Sequence, residues 1–464
     1  MSIQPSFLAS CLWLVSLPMA CALEEPQQAR PNILFVVIDT LRGDHVGCYG
    51  YKRDTTPCLD QFAEQGARFE QMIAPSSWTL PSVMSLFTSL PPSLHRATNY
   101  QRKLTEDATT LAAELKKAGY QTFGVVANPT ASAKFGFSKG FDVYDDYTAA
   151  LAGDLNLFQD FEREASVHTV KTSPIVNRVA LNWLGAKRDR QKPFFLLVLY
   201  FDAHADYMPP PPYDRMFDPD YAGTIDGRNM YSPEKARISA PADRAHIQAL
   251  YDGCIRYVDE HVGQLLKKLD DLDLAKSTCV LITSDHGEEF WDHGKILHGH
   301  TLYDELVRVP FLVRWPGHIA PGLAVKAQVG GTSIMPTLLE LAGAPRPTQC
   351  TARSFYRALV GKEVLEDQPA FSETEMGGKL LKALRTPSAK LVWDATADKR
   401  VLFDLQKDPL ELSAVTGGQQ QEISGQLDTI WKFIELKAST THDGGRPELG
   451  KRLIERLKAM GYVQ

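Results

Sequence analysis

The sequence predicts an α/β protein: a mostly parallel sheet sandwiched by helices, followed by a smaller C-terminal lobe. Three observations predict it. Short runs at residues 33–38, 122–126, 194–200, 280–283 and 311–313 are apolar throughout rather than alternating, as in strands covered on both faces. Amphipathic stretches at 110–118, closed by Gly119, and at 252–269 lie between those runs. Such strand and helix alternation implies a parallel sheet. From about Pro345 the pattern shifts to shorter strands, a turn-like Gln406-Lys407-Asp408-Pro409 and a final helix near 448–460, which reads as a lobe over 346–464 packed on a main domain over 31–345.

Each end of the chain adds an expectation. Residues 7–22 read FLASCLWLVSLPMACA, an apolar core closed by Ala-Cys-Ala. This is the pattern of a signal peptide spanning 1–22, and it predicts a secreted or periplasmic protein. The run is too short and interrupted for a stable membrane span after cleavage. Five cysteines remain beyond it, Cys48, Cys58, Cys254, Cys279 and Cys350. An odd number at irregular spacing is no disulfide framework, and Cys48 with Cys58 is the one pairing left open.

Composition narrows the class. The 464 residues are 44% hydrophobic and 23% charged, with a formal net charge of -6. That is ordinary globular composition. It argues against a protein built to neutralise nucleic-acid phosphates or an anionic membrane surface. A long stretch at 208–243, rich in Pro, Asp, Gly and Tyr, reads as an irregular binding loop or lid.

Four polar clusters fall where strands end: Asp39 to His45, Asp202 to Asp206, Ser284 to Glu289, and His293 to His300. In a parallel sheet ligands bind beyond the carboxyl ends of the strands, so the clusters are expected to converge on one rim. Carboxylates joined by an imidazole suit a divalent cation (calcium, magnesium, manganese or zinc) acting as a Lewis acid on an oxyanion. His45 reads as a structural loop histidine, Glu288 and Glu289 as acids solvating the rim, and Arg308 as scaffold. Trp78 and Trp291 read as pocket wall or core.

Seven segments in order carry a resemblance: PNILFVVIDTLRGDHVGCYGY, TTPCLDQFAEQGARFEQMIAPSSWTLPS, FFLLVLYFDAHADYMPP, VLITSDHGEEFWDHG, HGHTLYDELVRVPFLVRWPG, PTLLELAG and LFDLQKDPLEL. From Pro31 to about Leu412 the chain resembles the sulfatase family of the alkaline phosphatase superfamily. The resemblance implies an alkaline-phosphatase-like sheet, a C-terminal lobe with a short antiparallel sheet and terminal helix, and a bound divalent metal, usually calcium. It assigns Asp39, Asp285 and His286 as metal ligands. Thr40 stands where the family has a second Asp, which reduces that ligand to a hydroxyl. His204 matches the histidine that contacts the sulfate or the leaving oxygen.

The nucleophile departs from the family pattern. The signature Cys (or Ser), any residue, Pro, Ser, Arg is matched by Thr79-Leu80-Pro81-Ser82-Val83. Threonine cannot be oxidised to formylglycine, because its side-chain carbon carries a methyl. Val83 replaces the signature arginine, Val125-Val126-Ala127-Asn128 stands where the family has its Lys and His, and the later family lysine aligns near Gly299. His298 and His300 flank that position and are candidates for its role. Thr79 also reads as a helix N-cap, with Pro81 in the first turn.

The resemblance implies an exported, metal-dependent hydrolase of sulfate esters or similar phosphate esters, acting on a sulfated or phosphorylated small molecule or glycan. Two other readings stay open. One is a phosphoesterase or phosphoryl transferase with Thr79 as nucleophile, since water can take a phosphoryl group from Thr whereas formylglycine expels sulfate with a second hydroxyl that Thr lacks. The other is an inactive binding protein that keeps the fold.

Overall fold

The computed structural model describes residues 30–146 and 171–415, with isolated helical positions at 421, 425 and 432. The predicted signal peptide and the final helix at 448–460 lie outside the described residues. The chain divides after Arg30, and everything below belongs to the unit that begins at Pro31.

The central sheet contains β1 (Asn32–Ile38), β2 (Ala67–Ile73), β3 (Gln121–Val126), β4 (Val143–Asp146), β5 (Phe194–Tyr200), β6 (Thr278–Thr283), β9 (Arg308–Arg314), β10 (Leu323–Val325) and β11 (Val329–Gly330). The spatial order is β10-β2-β9-β6-β1-β5-β3-β4, with β11 also paired to β2. Only β9 runs against its neighbours; the pairs of β1 with β5 and β6, and of β3 with β4 and β5, are parallel. The apolar runs are the centre of this sheet. Every residue of β5 and β6, and all but Asn32 of β1, is buried. Ile, Val and Phe suit a pleated strand buried on both faces, because branched and aromatic side chains pack well there.

Strand β2 has no counterpart among the expected strands. Its sequence ARFEQMI alternates buried and half-buried positions, so it lacks the continuous apolar run of a central strand. The expected helix at 110–118 forms over Leu111–Lys117, with Thr110 Oγ1 accepting the Ala113 N–H at 3.2 Å as its N-cap. The expected helix at 252–269 begins earlier, at Pro241, and runs to Asp271. It takes the last three residues of the predicted 208–243 loop. Proline in the first turn gives it its start without wasting a backbone donor.

A hairpin of β7 (Glu289–Phe290) and β8 (Ile296–Leu297) stands beyond β6. A second sheet, antiparallel throughout, follows in the order β12 (Ala370–Met376), β13 (Lys379–Arg385), β14 (Ala389–Asp394), β15 (Lys399–Asp404). Its β12 reaches the first sheet's rim: Glu373 N–H donates to Pro75 O at 2.9 Å and Thr374 Oγ1 to Gly299 O at 2.9 Å. Cys48 and Cys58 are both free thiols, so the open pairing is not made.

Candidate active site

The parallel register brings the polar clusters to one level. Ile38 pairs with Tyr200, Val37 with Thr283 and Val126 with Leu199. The next residues along β1, β5, β6 and β3 therefore emerge at one sheet edge. Asp39 is the first beyond β1, and its N–H donates to Tyr200 O at 3.0 Å. Ser284 follows β6 and fastens this turn: it accepts from Leu41 N at 2.9 Å and donates to His286 O at 2.6 Å.

Asp39, Asp285 and His286 are fully buried, and one ligand atom from each lies within 4.8 Å of the others. His286 Nδ1–H donates to Gly287 O at 2.9 Å. That fixes the tautomer and turns the Nε2 lone pair toward Asp39 Oδ1 (3.6 Å) and Asp285 Oδ2 (3.5 Å). Those two carboxylate oxygens have no hydrogen-bond partner. Burial, and then the neighbouring Asp285 carboxylate, push the Asp39 carboxyl well above the usual carboxylate range. Buried acids left with bare oxygens around one imidazole lone pair are costly alone and fit a divalent cation.

Thr79 meets this cluster. It is the first residue of helix α2 (Thr79–Thr88), which follows helix α1 (Pro57–Glu64) and strand β2. Trp78, not Thr79, occupies the N-cap position, so the hydroxyl is not used as a cap. Thr79 Oγ1 stands 3.3 Å from His286 Nε2 and 3.5 Å from Asp39 Oδ2. Position N1 of a ten-residue helix also lies in the positive field of its free N–H groups.

Asn128 completes the group; it ends the Val125–Asn128 stretch that stands where the family has its Lys and His, and no motif assigned it a role. Its Oδ1 accepts from Thr130 N (2.7 Å) and Thr130 Oγ1 (2.8 Å). The amide NH2 is thereby turned to Asp39 Oδ2 at 2.5 Å and to Thr79 Oγ1 at 3.1 Å.

The remaining candidates separate. Thr40 sits at a φ of 56° with its Oγ1 donating to Asp39 O at 2.8 Å. What it offers the cluster is its N–H, 3.3 Å from Asp285 Oδ1. His204 and His298 come together, with ring centroids 4.9 Å apart, and His298 lies 4.5 Å from the His286 ring. His204 Nδ1 bonds to Ala205 O at 2.7 Å, and the Tyr231 hydroxyl is 3.4 Å from its Nε2. His300 is not brought in: its Nε2 bonds to Glu289 at 2.8 Å and its Nδ1 to His298 O at 3.2 Å, so both nitrogens are used.

Several other polar residues hold the scaffold. Asp202 accepts from Thr172 N and Ser173 N (2.8 and 2.7 Å), and Asp206 from Asn229 N and Met230 N (both 2.8 Å). Carboxylates placed on free backbone N–H groups are structural fasteners. His45 bonds to the buried Asp252 at 2.6 Å, and Arg308 donates to Glu70 O from an exposed position. Trp78 and Trp291 are both buried.

Glu288 and Glu289 do not solvate the rim; both are fully buried. Glu288 Oε1 lies 2.9 Å from His298 Nδ1. Burial pushes the Glu288 carboxyl up to about 8 and holds the His298 imidazole well below its usual range. Gly299, at a φ of 86°, has Met376 of β12 where a Cβ would stand, with Sδ 2.3 Å from that point. A lysine is therefore excluded from this backbone position as it stands.

Comparisons with known proteins place the chain in a family. The sulfatase family model matches residues 31–344. A model of the C-terminal region of N-sulphoglucosamine sulphohydrolase matches residues 292–434. The chain is 26% identical to an arylsulfatase of Clostridium perfringens, over 89% of this chain and 96% of that one. It is 23% identical to an N-acetylglucosamine-6-O-sulfatase of Bacteroides thetaiotaomicron, over 90% and 88%. Among solved structures it resembles a protein bound to its substrate D-glucosamine-2-N,6-O-disulfate (TM-score 0.73, 20% identity, 88% and 98% covered). It also resembles the phosphonate monoester hydrolase of Agrobacterium radiobacter (TM-score 0.71, 22% identity, 88% and 96% covered). The chain belongs to the sulfatase family, within the alkaline-phosphatase-like superfamily.

Proposed function

We propose that this protein is an exported hydrolase of sulfate or phosphate esters that depends on a divalent cation and uses the Thr79 hydroxyl as its nucleophile. The observation that carries the reading is the seat of Thr79 Oγ1, within 3.5 Å of both Asp39 and His286 and at the start of α2. Asp39, Asp285 and His286 would hold the cation, which when bound supplies Lewis acidity toward an ester oxygen. The members of this family that act on sulfated sugars make a sulfated or phosphorylated small molecule or glycan the expected substrate.

The chain's own groups have distinct tasks. Thr79 Oγ1–H is aimed at Asp39 Oδ2, which orients a lone pair for in-line attack. The Asn128 amide, pinned by Thr130, donates to the attacking oxygen and keeps Asp39 from turning away. His204, with Nδ1–H held by Ala205 O, turns Nε2 toward the leaving oxygen, where its imidazolium form would deliver a proton. His298, with Nδ1 engaged by Glu288, turns Nε2 toward a non-bridging oxygen.

The chemistry of threonine favours phosphoryl over sulfuryl transfer. Water can hydrolyse a phosphothreonine in line, whereas the aldehyde route that releases sulfate needs a second hydroxyl on the nucleophile. The similarity to a phosphonate monoester hydrolase supports that arm. The test is an assay of the purified protein on paired aryl sulfate and aryl phosphate esters, with added calcium or manganese, beside Thr79→Ala. Turnover lost in Thr79→Ala supports the reading and the preferred ester chooses the arm. Turnover that survives the substitution removes Thr79 from the mechanism, and no turnover of either ester with any of these cations leaves the inactive binding protein as the better account.

A further inference from the structure

Two glutamates sit side by side after the metal-type pair, and two histidines sit two residues apart after β8. The β7–β8 hairpin joins them crosswise: Glu288 to His298 at 2.9 Å and Glu289 to His300 at 2.8 Å. Neighbouring residues of an extended segment point to opposite sides, so the two pairs face different ways. The His298 ring packs against His286 and His204. His300 is turned to Glu289, which also accepts from the N–H groups of His293 (3.1 Å) and Lys295 (2.7 Å). One pair thus faces the reacting centre, and the other fastens the hairpin turn.

We propose that Glu288 is a positioning residue for His298: by engaging Nδ1 it fixes the ring and turns Nε2 toward the ester oxygen. The proposal rests on the hydrolase reading above. Its physical basis is the use of the two ring nitrogens. Because Nδ1 is occupied by the carboxyl group, any bond His298 makes to an ester is made through Nε2. A ring held only by packing would be able to flip and present either nitrogen. Glu288 is itself fully buried, and its Oε1 meets His298 one layer behind the reacting centre. Partners of this kind, one layer behind a reacting group, typically matter by about 10–100-fold.

The experiment is a double-mutant cycle on the full chain with the preferred aryl ester, read as kcat and KM separately. Glu288→Ala is expected to lower kcat by about 10–100-fold with KM little changed. In the His298→Ala background the same substitution should lower kcat by no more than about twofold, because the group it orients is gone. Glu288→Gln, whose isosteric amide can still hydrogen-bond to Nδ1, should recover most of the activity. Glu289→Ala is the control: it should lower the melting temperature and leave kcat of the folded protein within about threefold. Additive losses in the cycle would overturn the proposal, as would a Glu289→Ala loss equal to that of Glu288→Ala.

Histidine 15N spectra of the parent and of Glu288→Ala supply a readout that needs no turnover. The parent should show His298 Nδ1 in a strong hydrogen bond and a single ring tautomer, and the variant should lose that signature. The same tautomer and shifts in both proteins would overturn the proposal even in an active enzyme. The expected spectra in a parent that turns over neither ester would keep the Glu288 assignment while the hydrolase reading fails.

Discussion

Two buried clusters of charge in this molecule are built from similar side chains and balanced in opposite ways. At the sheet's edge, Asp39 and Asp285 share a dry pocket with His286, and two of their oxygens have no partner. At the seam with the second sheet, Glu411 is buried and Asp304 half-buried, and both meet chain cations. Lys390 reaches both at 2.9 Å, and Arg385 reaches Asp304 at 2.8 Å. Burial and Asp285 hold the Asp39 carboxyl far above its usual range. Against its own burial, Lys390 and Arg385 hold the Asp304 carboxyl below it. A buried ion pair with both partners present is an ordinary structural device, and a buried pair of like charges is not. The difference separates a seam from a candidate site: the Asp304–Glu411 cluster is balanced by cations of the chain itself, and the Asp39–Asp285 cluster is not.

The sharpest way to break this comparison is to remove one acid from each cluster. Asp285→Asn should cut turnover by on the order of 10³ or more, since it removes a ligand charge at the reacting centre. The same change should leave the melting temperature of chelated protein equal to or above the parent's, because it relieves like-charge crowding. A fall in that melting temperature would mean that Asp285 is a structural acid after all.

The opposite result is expected at the seam. Lys390→Met strands Glu411 and leaves Asp304 to Arg385 alone, and should cost about 3–5 kcal/mol in urea unfolding. The surviving folded enzyme should keep its kcat. Chelation is the next largest effect. Removing bound cation should lower stability by about 3 kcal/mol if the cation had been present at 100 times its dissociation constant. Adding calcium or manganese back should restore it in the parent and fail to do so in Asp285→Asn.

The smallest expected effect lies at Glu373 of β12, an acid balanced halfway. It accepts from Ser93 and feels Lys382, yet burial pushes its carboxyl up to about 7. A folded pKa above the unfolded one means the native state holds the proton longer. Stability from this group is therefore full below about pH 4.5 and falls as pH rises through about 7. Glu373→Gln should flatten the decline in melting temperature between pH 5 and 7.5, by about 1–3 kcal/mol at its upper end. An unchanged slope would show that Glu373 is ionised throughout.

Much of the fold was legible because its centre is written in one kind of residue. The β1, β5 and β6 segments are apolar without interruption, and only a doubly covered strand needs that. Strand β2 was not legible, since Arg68, Glu70 and Gln71 break the run where the sheet nears its edge. At the site, Asp39, Thr79, Asp285 and His286 were legible because short motifs carry them. Asn128 was not, because its meaning lies in the Thr130 contacts that turn its amide and no spacing encodes a rotamer. Glu288 was misread as a solvated acid. Sequence shows a charge but not its burial, and the His298 that accounts for it is ten residues away.

The methionine seated over Gly299 has an evolutionary consequence. A side chain at residue 299 would have to hold a left-handed φ of 86° and push aside the flexible end of Met376. The hairpin that supplies Met376 belongs to a different sheet from the rim it touches. Changes at Gly299 and Met376, far apart in sequence, are therefore expected to be accepted more readily together than singly.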